Sequence, residues 1–78
     1  MTNKEKILTQ FATHLTRLRK EKGLSIHQLA AISGLEYSQI QRIEKGKVNF
    51  AFSTLVMLAQ GLEMELDEML GEYKIPKS

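Results

Sequence analysis

Tyr37, Ser38, Gln41 and Arg42 gather two hydroxyls, a carboxamide and a guanidinium within the stretch GLEYSQIQRIEKGK, residues 34–47. Only Ile40 and Ile43 in its helical part mark a face to be hidden. Helical spacing leaves Glu36 and the four polar residues on other faces. An α-helix fits the major groove of DNA, and residues of its N-terminal half can reach base edges. The stretch is therefore read as a helix that presents polar chemistry to a partner.

The charge distribution suits the same kind of partner. Residues 1–49 hold nine Lys/Arg against four Asp/Glu, a net of +5. Residues 50–78 hold two Lys against five acids, a net of −3. A basic half suits a polyanion, and an acidic half should face away from it. Other chemistry finds little support. There is no cysteine, so disulfides and thiolate metal sites are excluded. His14 and His27 fall on different helical segments, and no metal site or cofactor is expected. No nucleophile elbow and no glycine-rich phosphate loop appears, which argues against an enzyme. No signal peptide and no membrane-length apolar run is visible, so a cytoplasmic protein without a membrane partner is expected.

The elements that must position the polar stretch are helical. The 78 residues suit a single domain, with its core over about 7–71 and a tail at 72–78. A first helix is predicted from about Lys4 to Lys22, with Ile7, Leu8, Phe11, Leu15 and Leu18 on one stripe. Thr2 and Glu5 fit a capping box at its start. A second helix runs from Ser25 to about Ser33, opened by a Ser25/Gln28 capping box, with Leu29, Ala30 and Ile32 inward. Gly34 makes the turn, Leu35 plugs it, and a third helix spans about Glu36 to Lys45. A fourth begins after Ser53 as N-cap, with Phe52 stapling the entry and Leu55, Leu58, Ala59 and Leu62 inward. A fifth, short helix covers about Leu66 to Leu70. The fold class is all-α, a compact five-helix bundle with a helix-turn-helix at the second and third helices.

The segment LRKEKGLSIHQLAAISGLEYSQIQRIEKGK resembles the phage-repressor and Cro type of helix-turn-helix, the large XRE-like family of lambda repressor-like DNA-binding proteins. LVMLAQGLEMELDEML is similar to that family's two closing helices. Leu-Ser, Leu-Ala, Gly, Ile-x-x-Ile-Glu and Gly-Lys all fall in register across about residues 11–70. The resemblance implies that Tyr37, Ser38 and Arg42 read bases, Arg42 by its planar fork on guanine O6 and N7. Gln41 joins them, and Glu36 either accepts from cytosine N4 or is simply a helix-start charge. Lys45, Lys47 and Asn49 match a loop that grips phosphates. Ser25 and Gln28 open a helix whose N-terminus can meet a phosphate, and Gln39 is expected to touch the backbone. Arg19 and Glu44 match a structural salt bridge between the first helix and the end of the third.

Three departures from the family pattern stand out. Ile26 replaces a glutamine that usually contacts DNA. Glu63 replaces a glycine after the fourth helix, so either Glu63 is left-handed or the helix ends early. Glu65 replaces a capping serine. Short family members include phage-type repressors, restriction–modification controller proteins and antitoxins. The resemblance implies a transcriptional regulator that binds double-stranded DNA as a homodimer through Val56, Met64, Met69, Tyr73 and Ile75, on an inverted-repeat operator. A protein partner such as RNA polymerase or a toxin is a further expectation. The alternatives are an antitoxin and a protein-binding helical adaptor.

Overall fold

The computed structural model describes residues 1–76 and contains five α-helices and no strand among them: α1 (Asn3–Glu21), α2 (Ile26–Ser33), α3 (Tyr37–Glu44), α4 (Phe52–Gly61) and α5 (Leu66–Leu70). Lys77 and Ser78 of the expected tail lie outside the described residues.

The helix starts follow local chemistry. At α1 the Thr2 hydroxyl accepts from the Glu5 N–H at 3.1 Å, and Glu5 Oε1 accepts from the Thr2 N–H at 2.8 Å. The backbone N–H and then the hydroxyl of Thr2 hold the Glu5 carboxyl below its ordinary pKa. At α2 Ser25 and Gln28 make the same reciprocal pair, at 3.1 and 2.8 Å. Each box satisfies two helix-end donors. The α2–α3 turn needs Gly34, whose φ of 79° is left-handed. Ser33 Oγ then accepts from the buried Leu35 N–H at 3.2 Å, which ties the plug residue to the end of α2.

Packing pairs the helices: α1 lies on α3, α2 on both α3 and α4, and α5 on α4. Leu15, Leu29, Ile40, Leu58 and Met69 have no exposed surface. Of the glycines, Gly61 at the end of α4 makes the tightest approach. A Cβ there would sit 2.8 Å from Ser33 Cβ and 2.9 Å from Leu29 Cδ1. Glycine is thus what lets α4 rest against α2.

The structure departs from the sequence pattern at several positions. Helix α4 starts two residues earlier than predicted, with Ala51 as N-cap, so Ser53 lies inside the helix. Phe52 is its first residue and is 69% exposed, so it staples nothing. Ile32 is 53% exposed rather than inward. The buried stripe of α2 runs through Leu29 and Ser33, and Ile32 falls beyond its edge. Both readings of Glu63 apply: α4 ends at Gly61, and Glu63 still has φ 56°. Non-glycine residues adopt that left-handed conformation at a cost.

Candidate nucleic-acid interface

The orientation of α3 is set by what it hides. Ile40 and Ile43 are buried in the core. Behind them, the side chains of Arg19 and Glu44 are only 10% and 8% exposed. Arg19 Nε donates to Glu44 Oε2 at 2.7 Å and Nη2 to Oε1 at 2.9 Å, a bidentate pair. Arg19 Nη1 also donates to the Leu24 carbonyl at 2.8 Å, and the Thr16 hydroxyl donates to Glu44 Oε1 at 3.0 Å. Hydrogen bonding to Glu44 raises the Arg19 pKa above its already high ordinary value. The bidentate pair pins the C-terminal turn of α3 to α1.

With that side fixed, Ser38, Arg42 and Lys45 follow at spacings of four and three and form an exposed outward stripe. Tyr37 lies on one flank, 38% exposed, with the half-buried Gln41 one turn on. Gln39 lies on the other flank and shares a groove with Arg42, Asn49 and Thr54. Arg42 makes no ion pair among the described residues. Glu36 occupies the N-cap position of α3, exposed, and its N–H donates to Gln39 Oε1 at 3.3 Å. That geometry spends the Gln39 carbonyl on the cap and leaves its NH2 outward.

Polar groups that could hold a sugar–phosphate backbone flank this stripe. On the α2 side, Ser25 and Gln28 are engaged in their capping box, which leaves the serine O–H and the glutamine NH2 to donate outward. On the loop side, Lys45, Lys47 and Asn49 are all exposed. Lys4 was not anticipated there. It lines the same surface hollow as Lys45, Lys47 and Asn49, because α1 crosses the end of α3 where Gly46 meets Thr9. No sequence signal joins residues 41 positions apart; only the α1–α3 packing does.

Arg17 is engaged elsewhere. It bonds Glu21 at 3.0 Å, Glu72 at 3.3 Å and His14 Nδ1 at 3.1 Å. His14 is buried and bonds the Met69 carbonyl through Nε2. The ring is thus occupied on both nitrogens, and no cluster suited to a metal ion exists among the described residues.

The residues expected at a dimer contact are not one patch. Met69 is fully buried in the chain's own core and leaves the set. Tyr73 packs near Phe11 and His14, and its hydroxyl donates to the Ile7 carbonyl at 3.2 Å. Val56 and Met64, both half-buried, share a shallow groove with Leu66, rimmed by Glu63, Glu65 and Glu68. Ile75 is exposed on the tail.

The helix-turn-helix family pattern matches residues 15–69. The chain belongs to this family, of the XRE type. Among curated relatives, the HTH-type transcriptional regulator PuuR of Escherichia coli is 39% identical over 62 residues, covering 80% of this chain and 34% of PuuR. The chain thus spans about a third of that relative's length. The control protein C.SmaI of Serratia marcescens is 36% identical, over 76% of this chain and 70% of that protein. Among solved structures, the restriction-modification controller protein C.AhdI of Aeromonas hydrophila superimposes with a TM-score of 0.75 at 37% identity, covering 80% of this chain and 94% of that one. The structural neighbours share the all-helical helix-turn-helix fold expected from the sequence pattern.

Proposed function

We propose that this helix-turn-helix protein is a sequence-specific DNA-binding transcriptional regulator, with α3 entering the major groove. The observation that carries the reading is the division of α3. Its buried side is locked by Ile40, Ile43 and the Arg19–Glu44 pair, and its opposite side exposes Ser38, Arg42 and Lys45. Arg42 reads guanine, with Ser38, Tyr37 and Gln41 alongside. Lys4, Lys45, Lys47 and Asn49 hold the phosphates on one side, with the start of α2 and its Ser25 and Gln28 on the other. Gln39 offers its NH2 to the backbone, and Glu36 serves as a helix-start charge.

The protein acts in the cytoplasm as a homodimer, which presents two copies of α3 about one DNA turn, roughly 34 Å, apart on an inverted repeat. The half-buried Val56, Met64 and Leu66 supply an apolar surface for the second copy. Selection of bound sites from random duplex DNA, followed by salt titration, tests the reading. The expected result is a palindromic consensus and an affinity that falls steeply with salt. Sequence-blind binding would overturn it.

A further inference from the structure

His27 and Tyr37 stack. Their ring centroids lie 4.2 Å apart with planes 25° from parallel. His27 is the second residue of α2 and Tyr37 the first of α3, and both are exposed. The pair bridges the N-terminal ends of the two helices of the helix-turn-helix. Neighbouring Ile26 is half-buried against the core edge and offers no polar group. Neither the His27 ring nitrogens nor the Tyr37 hydroxyl makes a hydrogen bond among the described residues.

We infer that His27 is a positioning residue for base reading, which fixes the Tyr37 ring so that its hydroxyl and free edge meet the same base pair in every complex. The inference rests on the proposed DNA-binding reading. A tyrosine at the first position of an exposed helix is otherwise free to change rotamer, and freezing it on binding costs affinity. Stacking on an aromatic neighbour fixes the ring beforehand. With one face covered by the imidazole, Tyr37 cannot slide that face onto a base. Its edge and hydroxyl remain for a thymine methyl or a hydrogen-bonding base edge.

Affinities for the selected operator and its single-base variants are to be measured for the wild type, His27→Ala, His27→Phe, Tyr37→Ala and the double alanine variant. His27→Ala should weaken operator binding about three- to tenfold, the range expected of one aromatic pair. The loss should fall at the base pair whose identity Tyr37→Ala also blurs. His27→Phe should restore binding to within about twofold, because it keeps the stack without the ring nitrogens. In the Tyr37→Ala background His27→Ala should add nothing. If His27→Phe is as weak as His27→Ala and both lower the salt slope by about one, His27 is a phosphate contact and the inference falls. Wild-type affinity in His27→Ala overturns it as well. Ring-current shifts of the Tyr37 protons in the free protein give a readout without DNA. They should vanish in His27→Ala and persist in His27→Phe, and their absence from the wild type also overturns the inference. A wild type that keeps these shifts but selects no DNA overturns the DNA reading instead, and the positioning role with it.

Discussion

The α2–α3 region and the α4–α5 region are held by different physics. Around α3, polar contacts fix orientation: the bidentate Arg19–Glu44 pair, the Thr16 hydroxyl on the same carboxylate, and the Ser33–Leu35 bond in the turn. Around α4 and α5, close apolar packing dominates, with Gly61 against Leu29 and Met69 filling the core. The only left-handed non-glycine residue among the described ones, Glu63, also sits there. Apolar packing tolerates small rotations. A directional pair does not, and under the proposed DNA-binding role a helix presenting Arg42 at a fixed angle gains most from such a pair. The contrast assigns orientation to the first region and cohesion to the second.

Splitting the Arg19–Glu44 pair should produce the largest effect. Glu44→Gln or Arg19→Met alone should cost about 3–5 kcal/mol of stability, since a charge stays buried without its partner. Arg19→Met with Glu44→Leu should recover much of that loss in urea unfolding, yet DNA affinity should stay impaired because α3 is no longer held at one angle. Full recovery of both would remove the distinction between the regions. Gly61→Ala probes the other side. It should cost about 1–3 kcal/mol by overpacking α2 against α4, seen in thermal unfolding. The folded fraction of that variant should still prefer the same operator.

Arg42→Ala should leave stability unchanged and relax preference at one base pair by about 1–3 kcal/mol in competition binding. Lys47→Ala should instead weaken all sequences alike and lower the salt slope by about one. Identical behaviour of the two variants would break the division between reading and holding. Glu63→Gly should stabilise by up to about 1 kcal/mol, through relief of the left-handed backbone, without altering DNA selection.

The smallest effect concerns Tyr73. Burial raises its pKa above the ordinary value near 10. A phenol whose folded pKa is raised contributes its stability below the unfolded value and loses it as pH climbs through the folded one. Ultraviolet titration should show Tyr73 ionising late, and the tail should loosen from α1 only in that alkaline range.

Much of the chain from α1 to α3 was legible in the sequence. The Thr2/Glu5 and Ser25/Gln28 boxes and the Gly34 turn involve residues a few positions apart, so local residue types determine them. The polar face of α3 was legible for the same reason, since helical periodicity separates Ile40 and Ile43 from Ser38 and Arg42. The start of α4 was misplaced at Ser53, because a good capping residue lies two positions inside a helix that starts from Ala51.

Sequence alone therefore determined the Gly34 turn, which helix shows polar groups, and the family to which the chain belongs. Tertiary structure decided that Met69 is inside and Ile32 outside, that Lys4 joins Lys45 and Lys47, and that His27 stacks on Tyr37. Periodicity says which residues share a face, but not which neighbour covers that face or how far its cover extends. Those outcomes depend on the packing of one helix on another. Here that packing is set by the close approach at Gly61 and by a buried ion pair between residues 25 positions apart.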